Sequence, residues 1–158
     1  MHARGFYNGD MPASVGVANV DSMARAALRH SHGVSSLDDT YRHWRNSELA
    51  SGLDQLNEGW SQKFPGSDEI WLSEKAVGDL AGLAGSDEDR FVIGMLKSLK
   101  ASVPTVDGTV AGLAAYDAGP HYRIYSRRLG NRLQVVRVLP NQDRFAALLQ
   151  NFMAGEAH

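Results

Sequence analysis

The feature that most constrains this chain's fold is a Gly130-Asn131 pair set between two β-prone runs, His121–Arg128 and Arg132–Leu139. A two-residue Gly-Asn loop between such runs specifies an antiparallel hairpin. Counting outward from the loop pairs Leu129 with Arg132 and Tyr125 with Val136. Side-chain alternation then puts Tyr122, Ile124, Leu133, Val135, Arg137 and Leu139 on one face. The other face carries His121, Arg123, Tyr125, Arg127, Gln134, Val136 and Val138. The first set is apolar except for Arg137, so that arginine is either buried and paired or a sign that the register slips by one.

The hairpin is also where the charge collects. Six arginines lie between Tyr122 and Phe145, with no lysine and only Asp143 to oppose them. Residues 120–158 hold six bases and two acids, net +4, so the remainder of the chain is net −6 to give the overall −2. Guanidinium groups pair bidentately with phosphates and with carboxylates, so this field suits a phosphate-bearing ligand or an acidic protein. The same charges would also serve simply to blunt an exposed sheet edge.

Several function classes fall away on composition. The chain has 158 residues and 43% hydrophobic content, enough for one cored domain or a small domain with an appended module. It has no cysteine, so disulfides and thiolate metal sites are excluded, which fits a reducing compartment. No apolar run approaches the roughly 18 residues of a membrane span, and Met1–Phe6 lacks a signal-peptide core, so the expected location is the cytoplasm. His30, His32 and His43 lack the cysteine or His-Glu-x-x-His context of a metal site and read as exposed helical histidines. The scattered glycines form no Gly-x-Gly-x-x-Gly or Walker pattern, and there is no nucleophile elbow. Neither metal nor cofactor is expected.

Residues 1–20 read as an arm, followed by a short helix over Met23–His30. Ser36 with Asp39 resembles a capping box and opens a longer helix. On it Leu37, Tyr41, Trp44, Leu53, Leu56, Trp60 and Phe64 form one apolar stripe, read mainly as packing. Phe64-Pro65-Gly66-Ser67 reads as a linker and the boundary between an N-terminal segment (1–67) and the remainder (68–158). Beyond it, Glu69–Leu72 is a strand candidate leading into a helix capped by Ser73. Ser86 opens the next helix, with Phe91, Val92, Met95, Leu96 and Leu99 on one side. Strands follow near 111–117, 121–128 and 132–139, and Pro140-Asn141 opens a final helix with Phe145, Leu148, Leu149 and Phe152 facing inward.

From about residue 68 this order of strand, helix, helix, three strands and helix resembles the RelE/ParE toxin superfamily of bacterial type II toxin–antitoxin modules. Glu69–Leu72 leading into a helix with Ala76 and Leu80, the Tyr122-Arg123-Ile124 strand, and Arg137-Val138-Leu139 followed by polar residues through Arg144 carry the resemblance. It implies an α+β fold in which a helical hairpin packs on a small, curved, mostly antiparallel sheet, here with an N-terminal helical extension. It also implies growth arrest and a cognate antitoxin partner covering the basic hairpin.

Two modes of action follow from the resemblance. Ribonuclease members cleave mRNA on the ribosome; for that mode Arg123 and Arg144 would stabilise phosphate charge and His121 or Tyr125 would move protons, since arginine stays protonated. Gyrase-blocking members act by binding. The strand Gly112–Asp117 has no lysine with which to hold a transcript and adds an acid, and Phe145 stands where a catalytic tyrosine or histidine would be useful. The expectation is therefore a toxin that binds a replication component, with Arg123, Arg127, Arg137 and Arg144 as main contacts. An mRNA endonuclease is the alternative, and a non-toxic α+β binding domain the third reading. The N-terminal stripe could also fold back over the hairpin's polar face.

Overall fold

The computed structural model describes residues 13–33 and 35–156. Among them are five α-helices and one five-stranded sheet: α1 (Ala13–Ser31), α2 (Leu37–Asn57), β1 (Gln62–Lys63), β2 (Ile70–Leu72), α3 (Glu74–Leu83), α4 (Asp89–Lys97), β3 (Ala114–Ala118), β4 (Tyr122–Leu129), β5 (Arg132–Pro140) and α5 (Gln142–Glu156). The fold is α+β, with strand order β1-β2-β5-β4-β3 and every pairing antiparallel except β2 with β5. No described helix is long and apolar enough to cross a membrane.

The two serine caps form as their spacing predicts. Ser36 Oγ accepts from the Asp39 N–H at 3.1 Å, and Ser73 Oγ accepts from the Ala76 N–H at 3.0 Å. Each satisfies one of the free amides of a first helical turn. Ser86, by contrast, does not cap α4: its hydroxyl turns back to the Leu83 carbonyl at 2.6 Å, and α4 starts at Asp89 behind an uncapped Glu88. The N-terminal helix is longer than expected, running Ala13–Ser31. Helix α2 is shorter and stops at Asn57, so Trp60 and Phe64 lie beyond it. The 64–67 segment is the turn of a small hairpin, β1–β2, closed by the Phe64 N–H to the Ile70 carbonyl. That hairpin brings Phe64 into the core.

Both faces of the sheet are covered. On one, Ala76, Val77, Leu80 and Leu83 of α3 and Val92 and Leu96 of α4 pack on Ile70, Leu72, Tyr116, Tyr122, Ile124, Leu133, Val135 and Val138. This is the helical hairpin on the sheet. On the other, Tyr41, Trp44, Leu49 and Leu56 of α2, Ala26 and Ala27 of α1, and Phe145 and Leu149 of α5 pack on Ala115, Tyr125, Val136 and Leu139. Residues on both sides of position 67 thus share this second core. Its centre is an aromatic trio: the Phe145 ring lies 4.8 Å from Trp44 and 5.2 Å from Tyr41.

The hairpin register needs one correction. Leu129 does pair with Arg132, but Tyr125 sits opposite Arg137, not Val136, because a β-bulge at Tyr125/Ser126 leaves Val136 as an extra residue on β5. Beyond the bulge the alternation inverts. Val138 moves to the face of Tyr122 and Ile124, and Leu139 moves to the face of Tyr125. Strand β2 pairs with β5 only over Leu133–Val135, so the remaining edge of β5 has no strand beside it. Side chains finish the ladder there. Ser73 Oγ donates to the Val136 carbonyl at 2.6 Å, Asp79 Oδ2 accepts from the Val138 N–H at 3.0 Å, and Tyr41 Oη donates to the Pro140 carbonyl at 2.9 Å.

Arg137 occupies this edge and is fully buried. Its Nε and Nη2 donate to the two carboxylate oxygens of Asp79 at 2.7 and 2.8 Å, and its Nη1 donates to Glu48 Oε1 at 2.7 Å and to the Glu48 carbonyl at 3.1 Å. Burial works against the guanidinium's charge, but Asp79 and Glu48 outweigh it and hold the proton more firmly than usual. Asp79 belongs to α3 and Glu48 to α2, so one side chain ties the two helical layers together around the sheet edge. Both readings of Arg137 offered by the sequence therefore hold: it is buried and paired, and the register does slip.

Candidate interaction surface on the basic hairpin

The five arginines of the hairpin and Arg144 of α5 do not form one patch. Arg137 is sealed in the interior. Arg123 faces the base of the hairpin, directly across from Asp117 on β3, and its Nε donates to Asp117 Oδ1 at 2.8 Å. The acid that the sequence adds to this strand therefore neutralises the arginine to which the resemblance would give phosphate contact. Burial opposes the charge on Arg123, while Asp117 and the neighbouring tyrosines favour it, and the net effect is a raised pKa.

Tyr125 lies beneath this pair and is fully buried. Its hydroxyl lies beside that of Tyr41. Burial, and then the nearby Tyr125, push the Tyr41 hydroxyl well above the usual tyrosine range. Below the ordinary tyrosine value of about 10, Tyr41 is neutral whether the chain is folded or not. Above it, the unfolded chain ionises first, so stability is lost as pH rises. Tyr41→Phe is expected to cost about 1 kcal/mol at neutral pH through loss of the bond to Pro140. The variant should also lose stability less steeply above pH ~10, as denaturant titrations across that range would show.

The other two residues expected to act in cleavage are apart from this point. His121 is partly exposed and turns toward the start of α4, with Nε2 3.8 Å from Glu88 Oε1. Arg144 sits in the first turn of α5, where its backbone N–H donates to Asn141 Oδ1 at 2.9 Å and its Nε has no partner among the described residues. Phe145 is wholly within the aromatic trio.

The far end of the hairpin is different. Arg127 Nε donates to the neutral Gln134 Oε1 at 2.8 Å across the strand pair. Arg128 and Leu129 are exposed, and the Arg132 guanidinium lies 4.3 Å over the Trp71 ring. Among the described residues no carboxylate pairs with Arg127, Arg128 or Arg132, whereas Arg123 has one such partner and Arg42 and Arg137 have two each. At about 3.3 Å per strand residue, this end lies roughly 13 Å along β4 from Arg123. Compared with protein-family models, with curated proteins and with solved structures, the chain matches none.

Trp71 is the member of this surface that sequence reasoning missed as functional. Its signal was present in part: in Ile70-Trp71-Leu72 the flanking residues are buried and Trp71 points the other way. Its position beside Arg132 and Gln134 depends on the parallel pairing of β2 with β5, in which Trp71 faces Gln134. Among the described residues no group of three or more histidines and acids could hold a metal ion.

Proposed function

We propose that this protein acts by binding and not by catalysis, and that its contact surface is the distal end of the β4–β5 hairpin. The observation that carries this reading is the set of unneutralised guanidinium groups at Arg127, Arg128 and Arg132, next to exposed Leu129 and the Trp71 ring. Arginine and aromatic anchors with an apolar neighbour suit an acidic protein surface. Cleavage has less support. Arg123 is neutralised, Tyr125 is out of reach of any ligand, and His121 faces a different element.

In its fuller form, which follows the RelE/ParE resemblance, the protein is the toxin of a type II module. Its antitoxin covers the hairpin end, and its target is a replication component with an acidic surface. The test is inducible expression in bacteria, wild type beside Arg127→Glu/Arg132→Glu, with pulse labelling of DNA and protein synthesis. Growth arrest with early loss of DNA synthesis, relieved at least tenfold in colony counts by the double substitution, is the expected result. Early loss of protein synthesis with cut transcripts would make it a ribonuclease. Unimpaired growth with soluble protein present would leave a non-toxic binding domain.

A further inference from the structure

A second cationic site lies on the opposite side of the second core, in the seam between α1 and α2. Residues Ser22, Arg25 and Arg29 from α1 face Thr40, His43 and Ser47 from α2 across a cleft of about 140 Å³. The spacing is three or four residues on each helix, so each set forms a single stripe. A seam between two amphipathic helices has an apolar floor and a rim of polar residues. Here the floor is apolar, with Trp44 and Ala26, and the rim is hydroxyl, imidazole and guanidinium.

The arginines set this cleft apart from an ordinary solvated surface. Arg25 and Arg29 are exposed, one turn apart, and repel each other, yet among the described residues no carboxylate pairs with either. In the same helical layer Arg42 has two partners, Asp38 at 2.7 Å and Asp39 at 2.8 Å. Glu48, the one acid lining the cleft among the described residues, is committed inward to Arg137. Two forked cations with hydroxyl and imidazole groups across a small cleft match the donor pattern of a tetrahedral dianion.

We propose that the α1–α2 cleft binds a phosphate monoester group, held by Arg25 and Arg29 from one helix and by His43 and Ser47 from the other. The same chemistry is offered by free phosphate and by a phosphoserine side chain. Binding would bridge the two helices directly above Trp44, whose Nε1 donates to Ser22 Oγ at 3.0 Å and whose ring stacks on Phe145. A ligand there therefore stabilises the second core by mass action. The site is separate from the hairpin surface and does not depend on that reading.

The test is thermal unfolding of the full chain in sodium phosphate, O-phosphoserine or sodium chloride at equal ionic strength, followed by tryptophan fluorescence. The expected result is a midpoint several degrees higher in phosphate than in chloride. The gain should vanish in Arg25→Gln/Arg29→Gln and persist in Arg127→Gln/Arg128→Gln; all four positions are exposed or partly exposed, so both variants should fold. A lower half-effect concentration for phosphoserine than for phosphate would assign a phosphorylated residue as the ligand, and equal concentrations would assign the free ion. Equal midpoints in phosphate and chloride would overturn the proposal. So would a gain that survives Arg25→Gln/Arg29→Gln, or one lost only in the hairpin variant.

Discussion

Arg137→Met is expected to destabilise the protein by about 3–5 kcal/mol, enough to lower the thermal midpoint of a chain this size by roughly 10 °C or more. The volume of the side chain is nearly kept, so the cost is electrostatic. Asp79 and Glu48 would remain buried with their shared cation gone, Asp79 still accepting from the Val138 N–H. Removing the whole group should behave differently. In Arg137→Met/Asp79→Leu/Glu48→Met no buried charge is left without a partner, and much of the loss should return, because apolar replacements of buried ion clusters are often neutral or better. Chemical denaturation of wild type, single and triple variants checks both halves. A single variant within 1 kcal/mol of wild type would mean that the arginine does not clamp the two layers.

Gly52→Ala should cost about 3 kcal/mol, although alanine is the better helix former. Replacing a helical glycine by alanine ordinarily gains up to about 1 kcal/mol. At position 52, however, an added Cβ would meet the Val136 carbonyl oxygen closer than any contact allows, with Val136 Cγ1 and Arg137 Cδ both at 3.0 Å. The blocking atom is backbone at the bulge, so no side-chain rotation relieves it. Helix α2 must lift from β5, and overpacking of this kind costs more than the propensity returns. Gly82 provides the control: it is helical too, and a Cβ there meets nothing within 4 Å. Gly82→Ala should therefore leave stability unchanged or improve it, and parallel denaturant titrations would separate the two cases.

What the sequence revealed and what it hid follow from how far each determinant acts along the chain. The Gly130-Asn131 loop, the Ser36 and Ser73 caps and the apolar face of α3 act within a few residues, and each forms as its local pattern predicts; on α4 Val92 and Leu96 are buried as expected, but Phe91 is exposed and Leu99 lies past the helix end. The bulge at Val136 was hidden because Val135-Val136-Arg137-Val138 is β-prone at every step and has no period to mark the extra residue. The end of α2 was hidden because Trp60 and Phe64 continue the helical spacing by coincidence, after the chain has turned at Gly59. The partners of Arg137 lie 58 and 89 residues away along the chain. Its anomaly could be seen in the sequence but its solution could not. The candidate surface was legible in part for the same reason: the cations sit on one local hairpin, whereas Trp71 and Asp117 reach it through pairing with other strands.

The aromatic trio also sets an order of events during synthesis. Tyr41 and Trp44 emerge from the ribosome about a hundred residues before Phe145, the ring that covers them, so α1 and α2 wait with an uncovered apolar face while the sheet is made. Contacts this far apart in sequence close late and slowly. Until Phe145 is made, Tyr41 and Trp44 lack the ring that covers them in the finished fold, and apolar surface left open in this way is what makes incomplete chains prone to aggregation.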